Sequence, residues 1–208
     1  MTKLTLDDIV DLRAYERERH EFRSHIIDLK KRRRIGVGPI VTFLFENRDT
    51  IRFQIQEMAR AEKIISDEGI ETELAVYNPL IPDPGQLSAT MFIELVTDAD
   101  MREWFPKLVG IETMLDIRVG AGDDADTVRC EVDPAHASQL TRDEMTAAVH
   151  YVNWRFTPEQ IDRIVAGEPV SLAIDHPAYR YETLLSSECV AELIDDLLGA
   201  GTSAQPRP

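Results

Sequence analysis

The chain has few of the residue types and patterns that mark several large classes of protein. Only two of its 208 residues are cysteines, Cys130 and Cys189, and there is no CxxC motif, which argues against a disulfide-rich scaffold and a zinc ribbon. No apolar run approaches the ~20 residues that a membrane-spanning helix needs. After a lone Lys3 the first residues are acidic, unlike a secretion signal. We therefore expect a soluble cytoplasmic protein with no membrane partner.

The usual enzyme signatures are also missing from the sequence. It contains no GxSxG elbow, no P-loop, no HExxH and no GxGxxG. The Glu-x-x-His repeats of a di-iron helical bundle are absent as well, so we do not expect the chain itself to be a rubrerythrin-like oxidase. The sequence identifies no cofactor and leaves open whether the protein is an enzyme.

Charge is unevenly distributed along this acidic chain, whose formal net charge is −15. Residues 1–63 carry 14 Lys/Arg against 11 Asp/Glu, whereas the rest carry 9 against 27. An acidic body repels phosphate backbones, so we expect no nucleic-acid binding. The run KKRRR at 30–34 forms either an anion-binding patch or the last turn of a helix, where cations complement exposed carbonyls, and we favour the second. In either case it could dock on acidic residues of its own chain or of a second subunit, so a homo-oligomer remains open.

The apolar periodicity predicts an α+β fold. We expect a single domain over residues 1–198, with a helical N-terminus and a largely antiparallel mixed sheet flanked by helices, followed by a disordered tail at 199–208. Residues 47–65 fit both a strand and a helix that begins after an Asn47 cap, and their length favours the helix. Further helices are expected near 5–12, 22–34, 71–77, 98–105, 158–165 and 186–198, and strands near 35–45, 91–95, 115–119, 128–132, 147–156 and 170–175.

Two of the five histidines lie on predicted strands, at positions that continue the apolar alternation. These are His150 and His176, and a buried imidazole must find hydrogen-bond partners because an unpaired buried polar group costs ~1–3 kcal/mol. They are either two separate structural histidines or a site that binds a metal or moves a proton. The second hypothesis requires a carboxylate such as Asp175, Glu46 or Glu57.

Five segments of the chain, in order, resemble a bacterial family that is known as the domain of unknown function 3501. They are 45–50 (FENRDT), 53–58 (FQIQEM), 77–82 (YNPLIP), 87–90 (LSAT) and 175–179 (DHPAY). The resemblance extends from Leu4 to about Leu198. The family has no established activity, so it implies no catalytic residue. It does imply a context, because members are often encoded beside a rubrerythrin-like protein and an iron–sulfur oxidoreductase related to heterodisulfide reductases.

The polar residues of these segments, together with the two histidines, form the candidate site. They could converge on one pocket or partner surface, or they could form a network that fixes loops in place. Two hypotheses follow: a non-catalytic accessory or interaction protein in a peroxide or redox-stress system, or a metal-binding protein or hydrolase-like enzyme around Asp175 and His176. The candidate site comprises Glu46, Asn47, Arg48, Asp49, Gln54, Glu57, His150, Asp175 and His176, with His150 and His176 as metal ligands.

Overall fold

The computed structural model describes residues 2–132 and 145–199, and the predicted α+β class is confirmed. Most of the predicted tail, residues 200–208, lies outside the described residues. Among the described helices, none is both long and apolar enough to cross a bilayer. The helices are α1 (Leu12–Arg33), α2 (Arg48–Glu62), α3 (Asp67–Tyr77), α4 (Asp98–Lys107), α5 (Pro158–Val165) and α6 (Ser187–Leu197). The strands are β1 (Arg34–Val37), β2 (Val41–Glu46), β3 (Gln86–Ile93), β4 (Leu115–Val119), β5 (Asp126–Arg129), β6 (Val149–Arg155), β7 (Val170–His176) and β8 (Tyr179–Leu184).

These strands form two antiparallel sheets of four strands, in the orders β1-β2-β3-β6 and β5-β4-β7-β8. Alternate side chains of each sheet point to a shared interior, because successive residues of a strand face opposite sides. Glu131, which follows β5, pairs with Asn153 of β6 and joins the two sheets along one side. The interior is filled by apolar side chains from both sheets, among them Phe43, Phe45, Met91, Trp154, Ile117 and Leu172.

On the other side, β8 contacts β1 through side chains. The Tyr179 hydroxyl donates to the Val37 carbonyl (2.8 Å) and accepts from the Ile40 N–H (3.1 Å). Gly38 sits directly against this tyrosine with φ +72°, and a Cβ there would lie 2.5 Å from the Tyr179 hydroxyl and 2.6 Å from the Tyr181 ring. Glycine is needed at this position for two reasons, its positive φ and the lack of space.

Helices α1 and α2 cover the outer face of the first sheet. As predicted, α2 begins after Asn47, whose side chain accepts from the N–H groups of Asp49 (3.1 Å) and Thr50 (3.0 Å). Buried Ile51 and Ile55 of this helix form a second, smaller apolar core. Its other buried members are Leu4, Leu74, Leu80 and Ile81, with Tyr151 of β6 packed against them.

Two strand predictions need correction. Residues 35–45 form two strands, because the left-handed backbone at Gly38 reverses the chain between β1 and β2. Strand β8 was not predicted, since outside Tyr179 its residues are exposed or half-exposed and show no clean apolar alternation. The hairpin expected around residues 120–126 is confirmed as β4 and β5.

The basic run at 30–34 forms the last turn of α1 and the start of β1, and the helix-end interpretation is confirmed. It docks on acidic residues of the same chain. Arg32 pairs with Glu192 of α6 (2.6 Å), and the fully buried Arg33 forms an ion pair with Asp196 of the same helix. Burial raises the pKa of Asp196 to about 6, although the ion pair with Arg33 opposes this shift.

Candidate functional site

The first sheet places two of the candidate residues on opposite faces. Glu46 ends β2 on the face that the helices cover, where it is 3% exposed and accepts from the hydroxyls of Thr50 (2.5 Å) and Thr90 (2.6 Å). His150 of β6 shares the inward face with Trp154. A sheet thus separates the Glu46 carboxylate from the His150 imidazole, and the two cannot share one ion.

His150 is 1% exposed, and its Nε2 has hydrogen-bond partners. Its Nε2 lies 2.9 Å from the Thr146 hydroxyl and 3.0 Å from the Ala147 carbonyl, and its Nδ1 lies 4.0 Å from a carboxylate oxygen of Glu112. Because a carbonyl only accepts, Nε2 carries the proton. Burial lowers the pKa of His150 more than Glu112 raises it. The neutral ring therefore fixes the chain at the start of β6.

His176 and Asp175 are neighbours in sequence but face opposite sides of the second sheet. The His176 ring is 5% exposed; its Nδ1 accepts from the Ala178 N–H (3.2 Å), and its Nε2 lies 3.3 Å from the Val109 carbonyl. Asp175 is exposed on the outer face, 3.2 Å from Arg180. The expected Asp175–His176 site is therefore not assembled, because β7 turns the two side chains apart.

The expected two-histidine metal site is also not found in the described residues. His150 and His176 belong to different sheets and contact different residues of the turn at 109–112. Within 2–132 and 145–199, no three His, Cys, Asp or Glu side chains are grouped so that they could hold a metal ion. The described residues instead support two separate, hydrogen-bonded histidines.

Glu57 connects α2 to α1. It accepts from the Tyr15 hydroxyl (2.8 Å) and from two nitrogens of Arg19 (2.8 and 2.9 Å), and Arg60 adds a longer contact at 3.3 Å. The bonds from Arg19 contribute most to lowering the pKa of Glu57 to about 2, against the opposing effect of burial. A carboxylate with a pKa this low is a weak base, far from the near-neutral pKa that suits a general base.

Other polar residues of the family segments hold the first residues of the chain, which we call the N-terminal strap (residues 2–11). The Asn78 amide accepts from the Leu4 N–H (2.8 Å) and donates to the Leu4 carbonyl (2.9 Å). Buried Gln56 makes the same pair of bonds with Val10, at 2.9 and 3.2 Å. Neither amide was among the predicted site residues, although both lie in the family segments.

The three remaining candidates have different surroundings. Arg48 pairs with Asp8 of the strap (2.5 Å). Asp49 lies 4.0 Å from His25, and burial raises its pKa. Gln54 is half-buried and makes no hydrogen bond within the described residues. Several polar residues of the family segments, among them Arg48, Gln56 and Asn78, thus bind the strap of the same chain.

Both thiols lie in surroundings that disfavour the thiolate form. Burial raises the pKa of Cys130 and of Cys189 to about 11, and the Cys130 thiol donates to the Glu112 carbonyl at 3.1 Å. The thiolate is the reactive form of cysteine, so neither residue has the environment of a catalytic or redox-sensing thiol.

Comparison with known proteins identifies the family of the chain and no activity. A family model described as "Protein of unknown function (DUF3501)" matches residues 3–197. A crystal structure of a novel protein of unknown function from Burkholderia pseudomallei K96243 is 36% identical, with a TM-score of 0.85, and the match covers 94% of this chain and 100% of that one. No curated protein matches the chain. The chain belongs to the DUF3501 family of proteins of unknown function.

Proposed function

We propose that this protein is a non-catalytic accessory or interaction protein in a redox or peroxide-stress system, with a rubrerythrin-like protein or an iron–sulfur oxidoreductase as its partner. The observation that carries the proposal is that the candidate reactive groups make their hydrogen bonds to other groups of the same chain. Glu57, His150 and His176 are bonded within the chain, and they tie helices and turns together. The choice of partner rests on the gene context that the family resemblance implies.

The state of the thiols supports an accessory role over direct redox chemistry. A cysteine peroxidase or thiol sensor needs a thiolate near neutral pH in a partly exposed, electropositive place. Cys189 is 2% exposed, and burial raises the pKa of both thiols to about 11. The proposed role therefore places the electron transfer on the partner and assigns binding to this chain.

Size-exclusion chromatography with light scattering tests the proposal directly. The full-length chain is mixed with each candidate partner at tens of micromolar, a range in which even a weak complex of micromolar Kd is populated. We expect a stoichiometric complex with one of the two. An unrelated protein of similar size and net charge is the control for non-specific association. If neither partner co-elutes with the chain, the proposed function is wrong.

A further inference from the structure

An apolar groove runs between the N-terminal strap and the loop that joins α2 to α3. Its volume is about 180 Å³. Ile65 lies at the edge of the groove, and with 85% of its surface exposed this apolar residue is largely in contact with water. The apolar lining comes from Leu6, Ile9 and Leu12 on one side and from Ile64, Ile65 and Ile70 on the other.

The groove is fixed by contacts on both sides. The paired amide bonds from Gln56 and Asn78 hold the backbone of the strap at Val10 and at Leu4, on either side of Leu6 and Ile9. On the other side α2 ends at Lys63 in the left-handed conformation (φ 57°), and Ser66 caps α3 through the Gly69 N–H (3.3 Å). Such a preformed apolar surface lowers the ordering cost of binding.

Acidic residues lie in the groove and next to it in sequence, and two of them, Asp11 and Asp67, belong to its lining. In the part of the chain that the structure describes, none of the five carboxylates at the end of α2 and along α3 has an ion-pair partner. Burial, and secondarily repulsion from Glu62, raises the pKa of Glu73. Lys63 is the cation that lies among them. The five are Glu62, Asp67, Glu68, Glu71 and Glu73.

The size and charge of the groove identify the type of ligand. Small-molecule pockets usually measure ~300–1,000 Å³, so a cavity of about 180 Å³ fits a single large apolar side chain better than a cofactor. The groove lining contains two carboxylates, Asp11 and Asp67, and no Lys or Arg, so it attracts Lys and Arg next to that side chain. We infer that the groove at Ile65 binds a basic amphipathic helix of a partner protein, one large apolar side chain of which enters between the strap and α3. This inference rests on the proposed function and names the surface through which it would act.

A binding titration on the full-length chain tests the inference. The probe is a fluorescein-labelled helical peptide of about 18 residues with Leu at i, i+3, i+4 and i+7 and Lys elsewhere, followed by anisotropy. A second peptide has the same Leu pattern with Glu in place of Lys. We expect the Lys peptide to bind and its affinity to fall as salt rises, because exposed charges are screened. The Glu peptide should bind at least about tenfold more weakly.

Two variants with matched controls locate the site. Ile65→Asp should weaken binding of the Lys peptide at least about tenfold, whereas Val96→Asp, at a side chain that is 92% exposed beyond β3, should not change it. The double variant Glu68→Gln/Glu71→Gln should weaken binding and flatten its salt dependence, whereas Glu103→Gln on α4 should do neither. These side chains are exposed, so all four proteins should keep their circular dichroism spectra and unfolding midpoints.

The inference is overturned by equal binding of the two peptides, by no binding of either, or by an equal effect of Ile65→Asp and Val96→Asp. It is also overturned if sedimentation shows a dimer that Ile65→Asp abolishes, because the groove would then bind a second copy. Failure of the inference and failure of the proposed function are distinguishable. If Ile65→Asp still co-elutes with the redox partner, the groove is wrong and the function stands; if the wild type co-elutes with neither protein, the function is wrong whatever the peptide does.

Discussion

Replacing Arg33 by alanine should destabilise the protein more than any single change at its exposed neighbours. The guanidinium is fully buried and donates to the carbonyls of Phe45 (2.9 Å) and Glu46 (3.2 Å), and it pairs with Asp196, whose side chain is 2% exposed. It thereby connects the end of α1, the end of β2 and α6. Loss of Arg33 leaves a buried carboxylate without its cation and two carbonyls without this donor.

The magnitude follows from the energetics of buried ion pairs. Removing one partner of a buried pair costs about 3–5 kcal/mol, because the remaining charge stays out of water. Arg32→Ala is the matched control, since Arg32 lies on the same helix and pairs with Glu192 of the same partner helix, but in a half-exposed position. Such a pair contributes at most ~1 kcal/mol. We therefore expect Arg33→Ala to lower the unfolding free energy by about 3–5 kcal/mol and Arg32→Ala by less than ~1 kcal/mol.

Urea unfolding monitored by far-UV circular dichroism measures the unfolding free energies of both variants. The two free energies can be compared if the variants have equal m-values. The penalty of Arg33→Ala should be smaller at pH 5 than at pH 8. Burial already raises the pKa of Asp196 to about 6, so without its cation this carboxyl takes up a proton at pH 5 and no longer buries a charge. The double variant Arg33→Met/Asp196→Leu should recover most of the loss. A difference below ~1 kcal/mol between Arg33→Ala and Arg32→Ala would refute the reasoning.

Three further predictions concern other tertiary contacts. Gly38→Ala should lower the unfolding free energy by at least ~1 kcal/mol, from its left-handed backbone alone, and should therefore lower the urea midpoint. Gly36→Ala should change the midpoint little, because a Cβ there would meet nothing within 4 Å. Equal midpoints for the two variants would contradict the account of β1 and β8. The pKa of Glu57 is lowered from 4.5 to about 2, so the stability it provides is present above pH 4.5 and is lost as the pH falls toward 2. Glu57→Gln should therefore flatten the acid side of the stability curve, unlike Glu71→Gln, at an exposed position that has no ion pair with any described residue. The His150 imidazole should titrate below pH 6.5 in an NMR titration, because burial lowers its pKa, and a midpoint above 6.5 would show that Glu112 dominates.

Features that depend on residues a few positions apart were predictable. The Asn47 cap and the length of 47–65 indicated α2, and the alternation around His150 and His176 indicated that both rings are buried. The basic run at 30–34 was correctly assigned to a helix end for the same reason, since capping and the helix dipole act within one turn.

What the sequence by itself determined is therefore most of the helices and strands, without β8 and the break at Gly38, and the burial of particular side chains. Only the tertiary structure decided which groups meet. It placed Arg33 on Asp196, 163 positions away, and it turned Asp175 away from His176. The physical reason is that a strand's alternation fixes which side of its sheet a residue faces but not which element packs against that side. That choice depends on how the two sheets and their helices pack over the whole chain.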